Sequence, residues 1–168
     1  MSAATLTVLE HGKPLHYTYA DLMAYHGHGF PGGVAHGFKV LERALPLLAE
    51  GTLVERREIS IRTSFGGPGG RDALEMVTRC HTDSRLSIEP DLAQPERGDT
   101  MARYVWLLSY RGKTVSLRIR DGIVRDEFIA LGRKSDRTEH EEARLEYLKT
   151  EMAARILALP AAQVYETF

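Results

Sequence analysis

Cys80 is the only cysteine among the 168 residues, so this chain forms no internal disulfide. No apolar stretch approaches the roughly 20 residues of a membrane-spanning helix. A net charge of −1 gives no global field for nucleic acid or an anionic membrane. Aromatic residues make up 8% of the chain and are scattered, which argues against a base-stacking surface. There is no Walker loop and no Ser-His-Asp order. The glycines at 27–33 lack the preceding parallel strand of a dinucleotide site. The first residues show no basic segment leading into an apolar core, so the expectation is a cytoplasmic protein without a signal peptide.

The chain does carry a dense cluster of histidine and glycine. Residues 26–37 read His-Gly-His-Gly-Phe-Pro-Gly-Gly-Val-Ala-His-Gly, with three of the seven histidines inside eleven positions. Glycine permits positive φ and close backbone approach to a ligand. Imidazole is the commonest protein ligand for several transition metals. On an extended segment, His26 and His28 would point to one side as a two-ligand chelate. Cys80, with His81 beside it, supplies a thiolate suited to zinc. Each feature has a plain alternative: capping histidines in a turn, and a buried free cysteine. His36 reads as a third ligand, a proton donor or a packed core residue. His11, His16 and His140 read as turn or surface residues. A second glycine loop, Gly66-Gly67-Pro68-Gly69-Gly70, either cradles an anion with backbone amides or makes a wide strand-to-helix turn. Arg118, Arg120 and Arg125, with Arg103 and Lys113, form either a solvated sheet face or the wall of an acidic-ligand pocket.

The pattern predicts a single α+β domain over 1–168, a mostly antiparallel sheet with helices packed on one side. A hairpin is expected over about 4–19. An amphipathic helix begins near Val34, with Pro46 ending or kinking it near 45. Residues 53–63 read as a long strand and 71–80 as a short helix. Strands follow at 84–89, 102–110, 113–120 and 123–130, the last three as a meander through Arg111-Gly112 and Asp121-Gly122. Residues 90–100 read as an exposed loop. Asp136 is expected to cap a terminal helix, about 136–157, with Glu139 as its reciprocal partner.

His26-Gly27-His28-Gly29-Phe30-Pro31-Gly32 with Gly37 resembles the opening motif of the FmdE family, named for a component of formylmethanofuran dehydrogenase. Phe30 stands where that family usually has cysteine. Asp72-Ala73 and Cys80 are similar to a second motif, with Gly69 at its first cysteine, Arg79 at its glycine and His81 at its threonine. Gly112-Lys113 matches a strand-joining turn, and the run from Ile156-Leu157-Ala158-Leu159-Pro160 through Phe168 also looks family-like. The resemblance spans about residues 20–168. It implies a fold similar to the C-terminal domain of glyceraldehyde-3-phosphate dehydrogenase, ordered helix–strand–helix–three strands. It also implies a homodimer that binds zinc or another divalent transition metal, or an anionic or metal-containing cofactor. Its role would be accessory or carrier to a redox enzyme partner.

Metal ligands are expected among His26, His28, Cys80 and His81. A pocket is expected around Phe30, Gly32, Gly67, Gly69, Asp72 and Lys113. The alternatives are a metal-dependent lyase or hydrolase with His36 as general base, and a metal-free assembly partner. Phe30 also suits the wall of a flat tetrapyrrole or pterin. No nucleic-acid or membrane partner is expected.

Overall fold

The computed structural model describes residues 3–168. Strands β1 (Thr5–Glu10) and β2 (Lys13–Thr18) form the N-terminal hairpin. Its turn, His11-Gly12, holds φ of 49° and 79°, the positive pair that matches the twist of the strands. Thr18 ends β2 and caps α1 (Tyr19–His26): its hydroxyl accepts the Asp21 N–H, and the Asp21 carboxylate accepts the Thr18 N–H. Helix α2 (Pro31–Leu48) starts on a proline, which lacks only an N–H that has no helical partner there. Val34, Phe38, Leu41, Leu45 and Leu48 are all buried, as their spacing predicts.

Next come β3 (Ser60–Thr63), α3 (Pro68–Thr78), β4 (Leu86–Ile88), β5 (Val105–Tyr110) and β6 (Lys113–Ile119). The chain closes with α4 (Asp126–Arg133), α5 (Glu139–Leu157), α6 (Ala161–Val164) and β7 (Tyr165–Thr167). The main sheet has the order β4-β3-β5-β6-β7, antiparallel except between β3 and β4. Ile61, Trp106, Leu108, Leu117 and Ile119 are buried, while their alternating neighbours Ser60, Arg62, Ser109 and Arg118 are not. Period-two burial of this kind means one face is covered and one is left open. The fold is α+β. Among the described residues most of the buried apolar side chains form one cluster, from Leu6 and Val8 of the hairpin to Ile156 and Val164.

Several sequence expectations fail for local reasons. The long strand at 53–63 shrinks to Ser60–Thr63, because Arg56–Glu58 make a 3-10 turn. Residues 90–100 hold two such turns, Pro90–Leu92 and Pro95–Arg97, each opened by proline. Pro46 does not stop α2, which runs two residues further; it sits in the last turn, where only one helical bond is lost. The expected fourth strand at 123–130 is helix α4, so the meander stops at β6. Asp126 and Glu127 favour that helix by sitting in its first turn, with Arg133 in its last. The sheet position beside β6 is taken instead by β7, at the opposite end of the chain. Helix α5 is capped two residues later than expected, by the box of Thr138 and Glu141 rather than Asp136 and Glu139.

The contact between α2 and α3 is made by glycine. A Cβ added to Gly69 would lie 2.6 Å from the Phe30 carbonyl oxygen and 2.8 Å from the Val34 nitrogen. One on Gly33 would meet Gly69 and Gly70 at 3.2 Å, and one on Gly37 would meet the Ala73 Cβ at 2.6 Å. Both glycine-rich segments therefore bring two helix backbones together. The second loop is itself the first turn of α3, which starts at Pro68 rather than at 71.

Candidate functional site

The His/Gly segment is not an extended loop. His26 closes α1, and Gly27, at φ 92°, caps it by donating its N–H to the Met23 carbonyl at 2.7 Å. The chain then passes His28 and Gly29 and enters α2 after Phe30. His26 and His28 thus belong to different local structures, and the strand geometry expected of the pair is absent. The His26 side chain is 7% exposed. Its Nδ1–H donates to Oδ2 of Asp72 at 2.8 Å, its ring lies 5.9 Å from that of Phe30, and its Nε2 is buried without a partner. His28 is exposed. Asp72 holds this imidazole and accepts from Arg71 as well, so it serves His26 rather than a pocket.

Cys80 and His81 are not brought to the two histidines. Asp72 lies in the first half of α3, and the six residues to Thr78 advance about 9 Å along the axis. Cys80 follows that far end, fully buried in the core, and burial pushes its thiol pKa up. His81 is exposed, and its hydrogen bonds are made by its backbone: its N–H donates to the Glu75 carboxylate and its carbonyl accepts from the Ser84 N–H. Among the described residues, no group of three or more His, Cys, Asp or Glu stands close enough to hold a metal ion.

What the two helix starts do build is a cavity of about 420 Å³, roofed by α4. That volume falls within the usual range for small-molecule sites. Gly33, Gly67 and Gly69 give it backbone walls, and Phe30, Phe65, Tyr104, Phe128, Ile129 and Met152 give it apolar ones. Arg103 and Arg133 stand at its exposed rim, Arg133 paired with Asp99 at 3.5 Å. The Lys149 ammonium lies 4.6 Å from the Phe30 ring centroid and donates to the Gly29 carbonyl, which fixes the entrance.

His36 lines this cavity and is fully buried. Its ring lies 4.8 Å from Tyr104 and 6.2 Å from Phe65. Nδ1 is 2.8 Å from the Tyr165 hydroxyl, and Nε2 is buried with no partner. Burial, aided by the positive charge of Arg155, pulls its pKa down to about 3. So neutral an imidazole is a poor general base near pH 7, which weighs against the catalytic role expected of it.

Of the expected pocket residues, Phe30, Gly67 and Gly69 line the cavity. Gly32 instead faces the Met152 side chain. Lys113 pairs with Glu50 at the β5–β6 turn, away from the cavity walls. Arg118 and Arg120 hold Glu166, and Arg125 holds Glu151; of the four arginines singled out in the sequence, Arg103 alone lines the cavity. Sequence reasoning missed Phe65, Tyr104, Phe128, Ile129 and Tyr165. Tyr104, just before β5, and Trp106 within it are two residues apart, a legible period-two signal. Tyr165 gave none, because its place beside Ile119 depends on a strand pairing 46 positions apart.

A scan against protein-family models finds no match for the chain, and a search of curated proteins finds none either. No helix among the described residues is long and apolar enough to cross a membrane.

Proposed function

We propose that this protein binds a flat, largely apolar organic molecule of one or two fused rings in the cavity between α2, α3 and α4. Its action is that of a carrier or accessory protein rather than a stand-alone catalyst. The observation that carries the reading is His36, a fully buried imidazole with an unpartnered nitrogen on the wall of an aromatic cavity. A buried polar atom without a partner is costly, and a ligand is one way to satisfy it. The volume suits a pterin-sized molecule better than a tetrapyrrole.

Trp106 is the sole tryptophan and packs 4.9 Å from Phe65, so its fluorescence reports on this wall. Titration with menadione, lumazine and protoporphyrin IX is expected to quench it with the two bicyclic compounds and not with the porphyrin. Absence of quenching and of calorimetric heat with all three would remove the reading.

A second reading keeps a metal, because one imidazole is prepared for it. A carboxylate on Nδ1 is the usual orienting partner of a metal-bound histidine, and Nε2 of His26 is otherwise unexplained. His26 and His28 would then be the ligands. Two imidazoles fall short of the three protein ligands of a catalytic zinc site. Phe30→Cys, which returns a thiolate to the entrance, is expected to tighten zinc binding at least tenfold under reducing conditions, and His28→Ala to weaken it. Equal affinity in wild type and both variants would dismiss the metal.

A further inference from the structure

The ligand class follows from which nitrogen of His36 carries the proton. The relevant polar atoms are few. Among the described residues the Tyr165 hydroxyl proton has one acceptor within hydrogen-bond distance, Nδ1 of His36. Burial raises the Tyr165 pKa well above its ordinary value, so the hydroxyl keeps its proton and that proton needs an acceptor. Trp106, packed edge-on against Tyr165, offers only an N–H and cannot accept it. Two tautomers of His36 are then to be compared. With the proton on Nδ1, the imidazole donates to Tyr165, and both the hydroxyl proton and the Nε2 lone pair are stranded in the core. With the proton on Nε2, Tyr165 donates to Nδ1 and only the Nε2–H lacks a partner. The second arrangement leaves one fewer buried group unmade, and each such group costs about 1–3 kcal/mol.

His36 therefore presents a neutral donor to the cavity. Among the described residues lining the cavity, the cations Arg103 and Arg133 stand at the exposed rim, and the rings of Phe65 and Tyr104 beside His36 are uncharged. Arg155 does not line the cavity; its charge is met by Glu151 at 2.8 Å and its Nη1 by the Ile123 carbonyl at 2.7 Å, although its Nη2 is buried without a partner. An isolated buried anion would lack the pairing it requires.

Resting on the cavity reading above, we infer that the ligand is a planar cyclic carbonyl compound, a quinone or ring amide, whose uncharged oxygen accepts from Nε2–H of His36. The half-buried Phe65 ring, 6.2 Å from that of His36, is the aromatic wall beside that donor.

The test begins on the wild type without ligand. Imidazole 15N shifts of histidine-labelled protein should report His36 protonated at Nε2. Menadione is then compared with 2-methylnaphthalene, which has the same rings and no carbonyl. Menadione is expected to bind at least tenfold more tightly. His36→Met should erase that difference. His36→Gln, whose carbonyl still accepts from Tyr165 and whose amide still donates, should keep part of it. An Nδ1–H resonance, or equal affinity for the two compounds, overturns the ligand class and leaves the cavity reading standing. Failure of both compounds to bind, together with the failure of lumazine and protoporphyrin IX in the titration above, overturns the cavity reading and the ligand class together. Should His36→Met not fold, the wild-type tautomer and the wild-type affinity ratio decide the matter.

Discussion

Gly69→Ala is expected to destabilise the protein by about 3 kcal/mol, the scale of forced overpacking in a core. The added methyl would stand 2.6 Å from the Phe30 carbonyl oxygen and 2.8 Å from the Val34 nitrogen. Both are backbone atoms, so no side chain can rotate to make room. Relief requires α2 and α3 to separate, and the apolar side chains packed beside them would separate too. Gly29→Ala is the control, since a methyl there meets nothing within 4 Å. Urea denaturation of the two variants should show a large fall in midpoint for the first and almost none for the second. Equal midpoints would mean that the helices do not touch through glycine. The same clash excludes a cysteine at position 69 in this packing.

Acid is expected to unfold the protein partly through His36. Its pKa falls from the ordinary 6.5 to about 3 in the folded state, because burial, with Arg155, disfavours the cation. The unfolded chain therefore binds a proton that the folded chain refuses. The stabilisation is complete above pH 6.5 and is lost as the pH falls from there towards 3. Between pH 7 and pH 4 the wild type should lose about 3 kcal/mol more than His36→Gln, which has no proton to take up at that position. The groups facing the imidazole are Tyr165 and Tyr104, both kept protonated by burial, and Arg155, so none of them titrates in this window. Carboxylates such as Glu151, held down to about 2 by Arg125 and then Arg155, contribute alike to both proteins and cancel in the difference. Parallel stability curves for wild type and variant would show that His36 is not buried as described.

Much of the fold is legible because it is local. The His11-Gly12 and Arg111-Gly112 turns, the apolar stripe of α2 and the alternation of β5 and β6 each lie within a few residues of sequence. The misreadings are of two kinds. Residues 123–130 are apolar enough for a strand, yet Asp126 and Glu127 with Arg133 are charges suited to a helix over 126–133, whereas the placing of β7 in the sheet position beside β6 depends on tertiary context. The site was located more readily than it was interpreted. The glycines at 32–37 and 66–70 suggested a phosphate cradle or a metal loop, since sequence shows permissive backbone but not what approaches it. In the folded chain the partner is mostly another helix. His36, read as one choice among ligand, acid and core, becomes specific only when Tyr165 arrives from 129 residues away.

The glycine seam also separates two jobs that many binding proteins assign to the same residues. The start of α2 and the start of α3 are joined backbone to backbone, so the frame of the cavity owes little to the identity of its lining. Phe65, Phe128 and Ile129 also pack against the core, whereas Phe30 projects from that frame as an exposed side chain. Selection, natural or in the laboratory, is thus freest to exchange Phe30 at the entrance while the scaffold keeps its stability.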